Sequence, residues 1–122
     1  MSFDWVEFLA LANDLRGRLG ALYSEEAANR TAVSRAYYAA FCHARNYAEN
    51  RLSFRRTGTG RDHRLLREHL RDFGDSWMEI AEYLEDLQKW RGQCDYDDTV
   101  PNLGMLVSNA LNTAEEVISR CS

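Results

Sequence analysis

The chain has a single proline, Pro101, and only seven glycines in 122 residues. So few helix breakers leave long stretches free to be helical. Lysine is nearly missing: Lys89 is the one exception among fifteen basic residues, the other fourteen being arginine. Arginine favours bidentate contact with phosphate or carboxylate. The three cysteines, Cys42, Cys94 and Cys121, are odd in number and form no CxxC pair. Zinc spacing is thereby absent, and they read as reduced thiols of a cytosolic protein. No apolar run reaches the length of a membrane span, and Asp4 and Glu7 interrupt the N-terminus where a signal peptide would be apolar, so a cytoplasmic location is expected. No GxxxxGK[ST] loop, nucleophile elbow, internal repeat or low-complexity tract occurs, and Asp95, Asp97 and Asp98 lack calcium-loop spacing. No metal and no cofactor are expected.

Hydrophobic residues make up 45% of the chain, enough for a core and against disorder, and the length suits one domain over residues 1–122. The organising stretch runs from Ser24 to Leu52. Ser24 suits an N-cap, and Glu25 and Glu26 suit the positive end of a helix dipole. Val33, Tyr37, Ala40, Ala44, Ala48 and Leu52 recur at helical spacings, so they form one apolar stripe. Ala32, Ala36 and Ala39 let neighbouring helices come close. A first helix is expected over Phe3 to Leu22, with Phe8, Ala12, Leu15, Leu19 and Leu22 inward. A basic, flexible loop is expected over Ser53 to Gly60, and a short helix over Arg61 to Phe73. Asp75 is a plausible N-cap for a fourth helix, from Trp77 to about Gly92, with Ile80, Leu84, Leu87 and Arg91 on one stripe. A last helix follows Pro101. Pattern alone predicts an all-α, up-and-down antiparallel bundle of four to five helices.

The net charge of −4 hides an asymmetry. Residues 30–71 carry ten arginines against Glu49, Asp62 and Glu68, whereas residues 72–122 carry three bases against eleven acids. Arg51, Arg55, Arg56, Arg61, His63, Arg64 and Arg67 are candidates for tracking phosphates of a nucleic acid or another anion. The alternative is that the basic middle pairs with the acidic third, within the fold or across a dimer. Arg91, placed on an apolar stripe, needs a partner, and Asp95 lies one helical turn further on. Tyr37, Tyr38, Phe41 and Tyr47 surround more of the long helix than one small bundle is expected to cover, which suggests a homodimer.

The segment Ser34-Arg35-Ala36-Tyr37-Tyr38-Ala39-Ala40-Phe41, the basic loop ending near Asp62-His63, and Arg91-Gly92-Gln93-Cys94-Asp95-Tyr96 together resemble a small stand-alone HEPN-domain protein. The order and spacing cover about residues 5 to 120. The resemblance implies a helical bundle that dimerises through its long helices. It also implies a prokaryotic toxin–antitoxin, defence or nucleotidyltransferase-linked setting. The partners implied are RNA, a nucleotide, a companion nucleotidyltransferase or a toxin. Many members are metal-independent ribonucleases whose motif is an arginine followed, after four to six residues, by a histidine.

Counted from Arg91, those positions hold Tyr96, Asp97 and Asp98, so the histidine of the motif is missing. An aspartate, with an ordinary pKa of about 3.9, is a poor acid near neutrality. The expectation is therefore a non-catalytic binding or regulatory module. The alternative is a ribonuclease with an altered site of Arg91, Asp95 and Tyr96. Arg64 with His69 and Arg56 with His63 also fit the spacing, but neither pair follows the fourth helix. His69 reads as a satisfied core histidine, and His63, at a loop–helix junction, as a cap or an anion contact.

Overall fold

The computed structural model describes residues 2–122, in which five helices and no strand occur: α1 (Val6–Leu15), α2 (Glu25–Arg51), α3 (Asp62–Arg71), α4 (Asp75–Tyr96) and α5 (Leu103–Arg120). The fold is an all-α bundle built around α2. Ser24 caps α2, its hydroxyl accepting from the Ala27 amide at 3.0 Å. From Val33 to Ala48 the expected stripe is buried, and Leu52 is half-buried. The alanines at 32, 36, 39, 40, 44 and 48 are all at most 1% exposed, so neighbouring helices sit close on more than one side of α2. α2 packs on each of the other four helices.

Four helices alternate in direction and the fifth does not. Trp5 and Phe8 of the first segment lie beside Arg45 and Arg35, so α1 runs antiparallel to α2. Trp77 packs beside Tyr47, and Arg30 reaches Cys94, so α4 is also antiparallel to α2. Arg120 binds the Ser76 carbonyl, which reverses α5 against α4. α3, however, runs beside the second half of α2 in the same sense, from His63 near Phe41 to His69 near Leu52. The strict up-and-down order predicted from pattern holds for the four long or flanking helices only. The loop before α3 has to fold back along α2, and Phe54 (6% exposed) anchors that return.

Several boundaries differ from expectation: α1 begins at Val6 rather than Phe3, and α3 ends at Arg71 rather than Phe73. α1 stops at Leu15, because Gly17 and Gly20 adopt left-handed backbone (φ 65° and 74°), and the Gly17 amide donates to Asn29 Oδ1 at 2.7 Å. Leu19 and Leu22, expected inward, are therefore exposed. α4 runs through Gly92 to Tyr96. Glycine costs about 1 kcal/mol there, offset by burial of Cys94 and by Arg30, whose guanidinium donates to the carbonyls of Cys94, Asp97 and Asp98 at 3.2, 2.5 and 3.1 Å. At the other end, Gly74 (φ 108°) occupies the cap position and Asp75 is the first helical residue. The loop from Ser53 to Gly60 is also not free: Arg56 pairs with Glu49 at 2.5 Å, and Asp62 accepts from the amides of Thr57 and Gly58 at 2.8 and 2.9 Å. No helix among the described residues is long and apolar enough to cross a membrane.

Candidate anion-binding cleft

Among the described residues, α1 touches α2 and α5 but neither α3 nor α4. That leaves a cleft over the middle of α2, about 640 Å³ in volume. Its floor is one face of α2: Ser34, Arg35, Tyr38, Phe41, Cys42 and Arg45. Trp5 and Phe8 form one wall, Gly58 to Gly60 with Asp62 and His63 a second, and Arg91 with Asp95 a third. The floor residues recur three and four apart, directly beside the buried stripe, so α2 serves the core with one face and the cleft with the next.

Three guanidiniums reach this cleft; aromatic rings lie beside all three, and Arg91 alone among them also faces an acid in the described residues. Arg35 lies 4.7 Å from the Phe8 ring centre and 5.2 Å from that of Tyr38. Arg45 lies 5.8 Å from both Trp5 and Phe41. Arg91 lies 5.2 Å from Tyr38 and 5.9 Å from Tyr96. A cation over a ring face is stabilised without using its N–H donors. Arg35 makes no hydrogen bond or ion pair among the described residues, and Arg45 spends donors only on Asn46 Oδ1, at 3.2 and 3.1 Å. Arg91 Nε approaches Asp95 Oδ2 to 2.9 Å, the pairing the sequence suggested, with the side chains 22% and 28% exposed. The contact is coulombic: its angle is too poor for a hydrogen bond, and Nε stays buried without an acceptor.

The second acid, Asp62, is turned to the loop. Burial raises the pKa of its carboxyl, but hydrogen bonds from Thr57 and Gly58 outweigh this and hold it below the ordinary carboxylate value. With that carboxylate engaged, Asp95 alone neutralises guanidinium charge in the cleft among the described residues.

Of the anion-contact candidates named from the sequence, His63 is the one that lines the cleft. It comes from the start of α3 and shares the cleft lining with Arg91. Its ring stacks on Phe41 with centres 4.1 Å apart, and Nδ1 shares a short hydrogen bond with the buried Tyr37 hydroxyl. Burial, then Arg91 and Arg67, lower its pKa, with Asp62 acting weakly against them. A pKa below the ordinary value of about 6.5 favours the neutral ring at pH 7.

The remaining candidates are dispersed. Arg51, Arg55, Arg61 and Arg64 are exposed and lie outside the cleft lining, and Arg64 pairs with Glu68 at 3.4 Å. Arg56 is tied to Glu49 and Asn46. Arg67 is 13% exposed, bonded to Gln88 and to the His63 carbonyl, so it supports α3 and α4 rather than facing solvent. Tyr96 is 75% exposed and does not line the cleft. His69 bonds the Leu52 carbonyl at 2.6 Å. Tyr37 and Phe41 are buried within the single chain and Tyr38 and Tyr47 half-buried, so a second copy is not needed to cover them. Arg35 and Arg45 were missed by sequence reasoning. Their signal was the stripe Arg35, Tyr38, Cys42, Arg45, a basic and aromatic row beside an apolar one. No group of histidine, cysteine, aspartate or glutamate among the described residues is arranged to hold a metal. Compared with family models, curated proteins and solved structures, the chain gave no match in any of the three.

Proposed function

We propose that the chain is a HEPN-like binding module that takes phosphate groups of RNA or of a nucleotide into the cleft between α1, α2 and α4. The observation that supports this most is the convergence of Arg35, Arg45 and Arg91 on one cleft with a single carboxylate partner. Guanidiniums held by rings keep forked donors free for phosphate oxygens. Homodimerisation and a prokaryotic toxin–antitoxin, defence or nucleotidyltransferase-linked setting belong to the same reading, through the resemblance. Light scattering that finds only a species of about 14 kDa would remove the homodimer.

The test is a salt titration of single-stranded RNA binding, with a nucleoside monophosphate as competitor. Arg35→Ala and Arg91→Ala should each weaken binding about tenfold and lower the salt slope by about 0.7, the release expected for one single-strand phosphate contact. Arg51→Ala and Arg64→Ala, outside the cleft, should change it less than twofold. Salt-insensitive or absent binding by the unmodified protein would instead indicate a protein partner. A second reading, a metal-independent ribonuclease, is favoured by one fact: His63 and Arg91 share the cleft. RNA cleavage lost in both Arg91→Ala and His63→Ala would establish it over the first.

A further inference from the structure

The Tyr37–His63 pair decides what His63 can do. The Tyr37 hydroxyl is buried, and its only hydrogen-bond partner among the described residues is His63 Nδ1. A buried hydroxyl that accepted from Nδ1–H would leave its own proton without an acceptor, the costlier arrangement. Tyr37 therefore donates, and Nδ1 accepts. The neutral ring must then carry its proton on Nε2, which has no partner in the described chain, while the ring itself lines the cleft. We propose that His63 is a neutral hydrogen-bond donor to a bound phosphate oxygen through Nε2–H, and that Tyr37 is the positioning residue that fixes this tautomer.

This deepens the phosphate-binding reading and rests on it. It also bears on chemistry. A proton taken from a ribose 2′-hydroxyl needs a ring nitrogen with a free lone pair. Here Nδ1 is occupied and Nε2 is already protonated, so His63 serves binding and not base catalysis. Protonating the ring would turn Nδ1–H against Tyr37 and strand the hydroxyl proton. The charged groups around it point the same way: Arg91 on α4, Arg45 on α2 and Arg67 on α3 disfavour a cationic ring, against Asp62 and, across the cleft, the Asp95 carboxylate already paired with Arg91. Burial also raises the Tyr37 pKa, so its hydroxyl keeps its proton throughout the working range.

The test has two arms that fail separately. Nitrogen-15 NMR of the unliganded protein should show His63 with a pyridine-type Nδ1 and a pyrrole-type Nε2 at pH 6 to 7. Tyr37→Phe should mix the two tautomers and raise the His63 pKa. A pyrrole-type Nδ1 in the unmodified protein would overturn the proposal, whatever the ligand. In the second arm, binding of a single-stranded oligouridylate is measured for His63→Gln and His63→Leu. Glutamine keeps an N–H donor and should retain binding within about threefold, whereas leucine should lose about tenfold, the value of one hydrogen bond to a charged group. Equal affinity of the leucine variant and the unmodified protein would overturn the donor role. Absence of binding by the unmodified protein, with the tautomer as expected, would overturn the phosphate reading and with it the donor role. Cleavage by the unmodified protein with a rate that falls as His63 protonates would show a base and overturn the assignment.

Discussion

Replacing Asp95 by asparagine keeps the side-chain shape and removes the charge that faces Arg91. At 2.9 Å, two unit charges attract by about 6 kcal/mol for an effective dielectric constant near 20. Desolvation and side-chain ordering cancel most of this. Exposed pairs are worth below about 1 kcal/mol, and breaking fully buried pairs costs about 3 to 5 kcal/mol. With side chains 22% and 28% exposed, the pair lies between these limits, and Asp95→Asn should cost about 2 kcal/mol. For a chain of 122 residues, that is a fall in Tm of about 8 °C. Arg91→Met should cost about 1 kcal/mol, because the stem still packs and the unpaired Asp95 carboxylate stays close to solvent. The double variant should lose no more than Asp95→Asn alone, which leaves a coupling of about 1 kcal/mol. Denaturant unfolding of the four proteins measures it. Inorganic phosphate adds an internal control. It should stabilise Asp95→Asn more than the unmodified protein, since removing the competing carboxylate tightens anion binding; at ten times its Kd the gain is about 1.4 kcal/mol. Losses that add within about 0.3 kcal/mol would refute the pairing, and equal stabilisation by phosphate would refute the competition.

Two further outcomes are expected. Arg30→Met should cost about 2 kcal/mol, since three carbonyls at the end of α4 lose a charged donor, and hydrogen exchange should quicken at residues 94–98 before the rest of the helix. The Asp62 carboxyl is held below its ordinary pKa by the loop amides, so its contribution is present above about pH 4 and is lost as pH falls through the folded value. Asp62→Asn should flatten the acid limb of the stability profile; an unchanged limb would show that these hydrogen bonds contribute nothing.

The helical class, the central place of α2 and its buried stripe were legible in the sequence, because helical periodicity and an Ser24 N-cap are local properties. The Arg91–Asp95 pair was legible for the same reason: residues four apart on one helix lie side by side. Boundaries set by backbone conformation were not. Gly17 and Gly20 close α1 early, while Gly92 is carried inside α4 by an arginine 62 positions away. The same residue type ends one helix and is overridden in another, and only packing distinguishes them. The cleft is likewise tertiary. A short α3 running beside α2 returns His63 to the level of Phe41, so a histidine 28 positions before Arg91 shares a cleft with it. Residue types and helical faces are written in the local order of the chain. Which faces meet, and which guanidiniums are left without an acid, depend on distances between helices, and those arise only when the apolar stripes are buried together.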